Sequence, residues 1–129
     1  MSKNGISARE VKNGSMSKAY IKNKFINSVD SIILDIKPEI CIGRILCYEV
    51  DQEVNDEVFV KSELKNLLGK KFDIVIEDND CDNTNNNIIT IENCHMYKYS
   101  HFISGGNTRM MQYQFSFTQE NKKEEIRRN

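Results

Sequence analysis

The sequence predicts a mainly β protein, an antiparallel β-sandwich or barrel with one short α-helix at about 62–68 and an extended N-terminal arm. Three observations carry this expectation. Met111, Tyr113, Phe115 and Phe117 alternate with Gln112, Gln114, Ser116 and Thr118, the period of a strand with one dry and one wet face. Gly105-Gly106-Asn107 just upstream tolerates positive φ, and Cys94 to Ile103 before it is rich in apolar and aromatic residues, so the two runs read as a hairpin. The two-residue period recurs in most other apolar stretches, whereas a helical period occurs once.

In chain order, residues 1–28 lack a sustained apolar period and hold the turn signals Asn4-Gly5 and Asn13-Gly14-Ser15. Ala19, Tyr20, Ile21, Phe25 and Ile26 are too apolar for a plain tail, and the reading is an arm that becomes ordered when something covers it. A single β domain is expected over 29–119. Its first strand, Ser31 to Ile36, ends at Lys37-Pro38, because proline cannot donate to a ladder. A long strand follows from Ile40 to Val50, apolar on both parities near its start, with Arg44 as the exception to its parity and Gly43 fitting a bulge or bend. Val58-Phe59-Val60 is a short apolar run.

Ser62 to Leu68 has the helical signature: Ser62 as cap, Leu64, Leu67 and Leu68 on one face, and Gly69 as the left-handed residue after the last turn. Phe72 to Glu77 returns to strand, followed by the polar tip Asp78 to Asn87 and by Ile88 to Glu92, with a bulge expected near Asn93. Residues 120–129 form a charged C-terminal tail.

Composition bounds the function. The 129 residues suffice for one domain, and the net charge of -1 supplies no global basic field to recruit nucleic acid or an anionic membrane. The charge is unevenly spread: residues 1–27 hold six basic groups against Glu10, a balance of +5 that leaves -6 on the remainder. A basic arm on an acidic body fits like subunits meeting head to tail. No apolar run approaches the roughly 20 residues that span a bilayer, so no membrane span is expected, and the polar N-terminus does not read as a classical signal. Cys41, Cys47, Cys81 and Cys94 lack zinc-knuckle or redox spacing and read as free thiols.

Candidate chemistry is sparse. Asp78, Asp80 and Asp82 have the spacing that opens a calcium loop, yet position six is Asn83 and position twelve is Ile89, so a solvent-exposed hairpin tip is expected. His95 and His101 share strand parity and, with a cysteine, are the alternative reading as a metal-dependent enzyme. Cys94 and His95 are adjacent in a strand and so face opposite ways, which rules them out as a nucleophile-base pair. Tyr97, Tyr99 and Phe102 beside Lys98 allow a second alternative, a small β-barrel nucleic-acid binder. No glycine-rich phosphate loop or serine elbow is present, and the expectation is no catalytic residue, no metal and no cofactor.

Three stretches, Gly43 to Asp51, Lys61 to Glu77 and Ile88 to Phe117 with its amphipathic Met-Gln-Tyr-Gln-Phe-Ser-Phe strand, resemble the tail-tube fold of bacteriophages and related contractile injection systems. The resemblance implies a structural virion protein, a tail-tube or tube-proximal baseplate subunit. It also implies a homo-oligomeric ring, commonly hexameric, whose sheets line a conduit for DNA or an effector, with DNA only as passing cargo and neighbouring tail or baseplate proteins as partners. Its place would be the virion tail, assembled in the bacterial host cytoplasm. Independently of the family, the arm offers an assembly interface: Tyr20, Ile21, Phe25 and Ile26 as apolar anchor, with Lys22 and Lys24 as steering charge.

Overall fold

The computed structural model describes residues 8–13, 17–26, 28–48, 58–59, 61–79 and 85–128. Among them are strands β1 (Ala8–Asn13), β2 (Ser17–Ile21), β3 (Lys24–Ile26), β4 (Val29–Ile36), β5 (Cys41–Tyr48) and β6 (Val58–Phe59), and the helix α1 (Lys61–Lys65). They continue with β7 (Lys71–Asn79), β8 (Asn85–Ser104), β9 (Thr108–Phe117) and β10 (Lys122–Arg128). All ten strands belong to one sheet in the order β1-β4-β5-β9-β8-β7-β2-β3-β6, with β10 added on β8. Every pairing is antiparallel except β3 with β6. The expected mainly β architecture with one short helix is what the chain adopts.

The 20-residue β8 organises the sheet. His95 pairs with both Lys71 of β7 and Ser116 of β9, so those strands flank β8 on opposite edges. Residues 86–91 pair with both β7 and β10, which puts β10 on the same edge as β9, one continuing the line of the other. The sheet folds over so that one face encloses a single core. Ile32 and Leu34 of β4, Cys41, Ile45 and Cys47 of β5, and Phe72, Ile74 and Ile76 of β7 meet Tyr113, Phe115 and Phe117 of β9 there. The rings interlock, with Phe72 edge-on to Phe115 at 5.5 Å and Tyr99 stacked on Tyr113 at 6.0 Å. Each large side chain so buried contributes about 1.5–3 kcal/mol.

Several expectations are refined or corrected here. The bulge near Asn93 is present: the β7–β8 register slips between Phe72 and Ile74, Asn93 sits at φ 56, and its N–H donates to the Asp73 carboxylate at 2.9 Å. A second slip, opposite Phe115 and Gln114, extrudes Tyr97. Gly43, by contrast, marks no bulge. It pairs in unbroken register with Leu34 and Phe115, and a Cβ there would lie 2.2 Å from Phe115 Cζ, so the glycine makes room for the ring.

The helix keeps Leu64 and Leu67 in the core but leaves Leu68 43% exposed. Leu67 N–H donates to Leu64 O and Leu68 N–H to Lys65 O, the i to i+3 pattern of a tight turn that aligns positions three apart and swings the fourth outward. Gly69 takes the left-handed conformation expected of it, at φ 79. The expected Ser62 cap concerns a side chain outside the described residues.

The expected boundaries at 28 and 120 do not divide the structure. β1 pairs with β4, β2 with β7 and β3 with β2, so the described part of the arm is built into the sheet. The charged tail likewise continues as β10 on β8. Ladder hydrogen bonds reward the backbone whatever the side chains carry, which is why charged sequence can still be strand.

Candidate functional site

Alternation puts the polar residues of β9 on the face turned away from the core. Register then aligns rows across five neighbouring strands: Val11, Ile33, Arg44, Gln114 and Lys98 in one, Asn13, Ser31, Leu46, Gln112 and Ser100 in another. The result is a broad face of amides, hydroxyls and basic groups with half-buried Ile33, Ile42 and Leu46 between them.

The fixed point of this face is Asp35, only 2% exposed. Its carboxylate accepts Arg9 Nε at 2.6 Å and Arg9 Nη2 at 3.0 Å in a fork, and Arg44 Nη1 at 2.7 Å. Hydrogen bonding from Arg9 holds the Asp35 carboxyl below its ordinary value, against the opposing effect of burial and with Arg44 adding to it. The sequence reading did not single out Asp35. The signal was present in two charges out of pattern, Asp35 inside an apolar run and Arg44 breaking its strand's parity.

At one end of the sandwich the core gives way to a charged seam. The inward face of β1 carries Glu10 and Lys12, opposite Leu34 and Ile32. Lys12 Nζ reaches Asp78 at 3.0 Å and Glu10 at 3.5 Å, Lys122 Nζ reaches Glu10 at 3.1 Å and also pairs with Glu124, and Ser17 Oγ donates to Asp78 at 2.6 Å. The Lys12 and Lys122 side chains are only 12% and 14% exposed, so both termini are tied across this end by partly buried ions.

The six expected assembly residues separate by strand alternation. Ile21 and Ile26 are 1% and 0% exposed and belong to this chain's own core, which corrects their reading as contacts kept for a neighbour. Tyr20 and Phe25 pair across β2 and β3 on the outer face, their rings 5.9 Å apart. Lys22, exposed, sits in the tight turn at φ 54, and Lys24 lies 3.6 Å from Glu63.

The alternative chemistries lose their geometry. Across the ladder His95 faces Ser116, on the outer parity, while His101 faces Met111, on the inner one, because the Tyr97 bulge inverts the strand between them. They do not converge on one ion. No group of three His, Cys, Asp or Glu able to hold a metal occurs among the described residues. Asp78 is bound to Lys12 and Ser17 in the seam, and Asp80 and Asp82 lie outside the described residues. Cys41, Cys47 and Cys94 are buried thiols in no disulfide, and burial, with the nearby Asp73 charge adding to it, pushes the Cys94 thiol up to about 12. Tyr97, Tyr99 and Phe102 form no common stacking platform, since Tyr99 stacks inward on Tyr113 and Tyr97 is extruded.

No helix of the described residues is long and apolar enough to cross a membrane. No protein-family model and no curated protein matches the sequence. Among solved structures, the fold is similar to that of Hcp1 from Flavobacterium johnsoniae, at 10% identity over 88% of this chain and 99% of that one, with a TM-score of 0.57.

Proposed function

We propose that this chain is a tube-forming structural subunit, whose copies associate side by side into a ring with the polar face of β4, β5, β9 and β8 turned to the central passage. One observation carries the reading: the chain has the fold of Hcp1, a type VI secretion tube protein, and bears on one side of its sheet a broad face of amides, hydroxyls and basic groups interspersed with half-buried aliphatic residues. The role is mechanical rather than catalytic. A hexameric ring, a place in a phage tail, its baseplate or a related injection apparatus, assembly in a bacterial host cytoplasm, and passage of DNA or an effector are the finer parts of the same proposal.

The lateral contact is proposed at the outward half of the sequence-derived set, Tyr20 and Phe25 with Lys22. Exposed ion pairs contribute only about 0–1 kcal/mol each, so the aromatic pair supplies the adhesion and lysine the steering. The purified protein is expected to give rings with a central hole by negative-stain imaging and a matching fast boundary in sedimentation velocity. Phe25→Ser should shift that boundary toward monomer while leaving the circular dichroism unchanged. A protein that stays monomeric at every concentration and salt tested overturns the reading.

A further inference from the structure

β1 is attached to the domain differently from the strands it completes. None of its residues belongs to the hydrophobic core, and Val11, its large apolar side chain, is 61% exposed. Among the described residues it is an edge strand, hydrogen-bonded to β4 alone through six register pairs. Its side-chain attachments include the Arg9 fork on Asp35, Glu10 with Lys122, and Lys12 with Asp78. Only residues 14–16 join it to β2, which begins on the flank of β7, four strands further along the sheet from β4 than β5. A terminal strand held by polar contacts and no core burial belongs to the low-stability end of a fold and opens locally.

Once lifted, β1 leaves an adhesive vacancy. The edge of β4 would be unpaired beside Ile32 and Leu34, and the buried Asp35 carboxylate would lose its guanidinium fork. A proper occupant must present an arginine opposite Asp35, then an acid for Lys122, and two residues later a base for Asp78. The β1 of a second copy meets every one of these requirements.

We propose that β1 is an exchange strand: in the assembled particle, residues 8–13 of one copy lie on β4 of the next, in the same Arg9-to-Asp35 register. The inference rests on the self-assembling reading and names the contact between copies. Exchange conserves every contact of the closed monomer, so its balance is set by the short connection and by local concentration. Copies held side by side face one another at an effective concentration of about millimolar, which favours exchange in the particle and the closed form in dilute solution.

The test uses Val11 and Ile33, which face each other directly across the β1–β4 ladder. In a full-length Cys81→Ser background, chains with Val11→Cys alone and chains with Ile33→Cys alone are mixed, assembled, oxidised and separated without reductant. The expected result is a disulfide-linked dimer of the two variants in the assembled fraction, with none when either variant is oxidised by itself. A chain carrying both substitutions should then give covalent strings of several copies from the assembled fraction and internally bonded monomer from the dilute one. Rings whose double variant yields internally bonded monomer only overturn the exchange and leave the ring reading standing. Linked dimers without rings support exchange and overturn the ring. Val11→Cys linking equally well to itself shows a contact without register and overturns the exchange.

Discussion

Gly43 and Phe115 occupy one volume between them, and that is the sharpest residue-level constraint in the core. Gly43→Ala places a methyl inside the Phe115 ring position. It should cost about 1–3 kcal/mol in urea unfolding, the usual range for overpacking, and Phe115→Leu should relieve part of the loss in the double variant. Asp35 governs the opposite face. Its folded-state pKa lies below the unfolded one, so its stabilisation is fully present above the unfolded value and is lost as pH falls through the folded value. Asp35→Asn should therefore reduce stability near neutrality by about 1–2 kcal/mol, less than for a fully buried pair because the Arg9 and Arg44 guanidiniums it leaves behind keep contact with water. It should also make the decline in acid shallower than in the parent protein. Unfolding free energies measured from pH 7 down to pH 3 check both, and parallel curves for the two proteins would remove Asp35 from that role.

At the scale of elements, α1 shows how a short helix yields to the layer it covers. Leu64 and Leu67 plug the core, whereas Leu68, equivalent to them by a 3.6-residue period, is turned out by the tight terminal turn. Leu67→Ala should lower stability by about 2–4 kcal/mol and Leu68→Ala by less than about 0.5 kcal/mol, read from denaturant midpoints. Equal losses would restore the regular helical face. The β2–β3 hairpin makes a parallel distinction. Ile26→Ser removes a fully buried side chain and should cost about 2–4 kcal/mol of stability, whereas Phe25→Ser, on the outer face, should act on assembly. The reverse assignment would return Ile26 to the interface.

Across the whole molecule, three thiols lie inside one continuous core and the fourth, Cys81, falls outside the described residues. Cys41, Cys47 and Cys94 should stay unreactive toward an aromatic disulfide reagent at pH 8 in the native protein and react together once it is unfolded, since the core shields their sulfurs from the reagent. Stepwise reaction under native conditions would mean that the core opens in parts. The mainly β class, the hairpin at Gly105 to Asn107, the strand through Phe117 and the bulge at Asn93 were legible in the sequence, because they follow from local alternation and from residues that tolerate positive φ. Contacts distant in sequence were not legible in the same way. Alternation announced that β5 had two apolar parities, and only the strand order turned Cys41, Ile45 and Cys47 inward and set Arg44 against Asp35. Charge patterning announced a basic start and a charged end, and only the folded sheet brought Glu10, Lys12, Asp78 and Lys122 into one seam. Periodicity depends on neighbours along the chain, so one sequence determines which residues share a face. Which faces meet, and which charges are thereby buried together, depends on register between strands tens of residues apart, and the tertiary structure alone decides it.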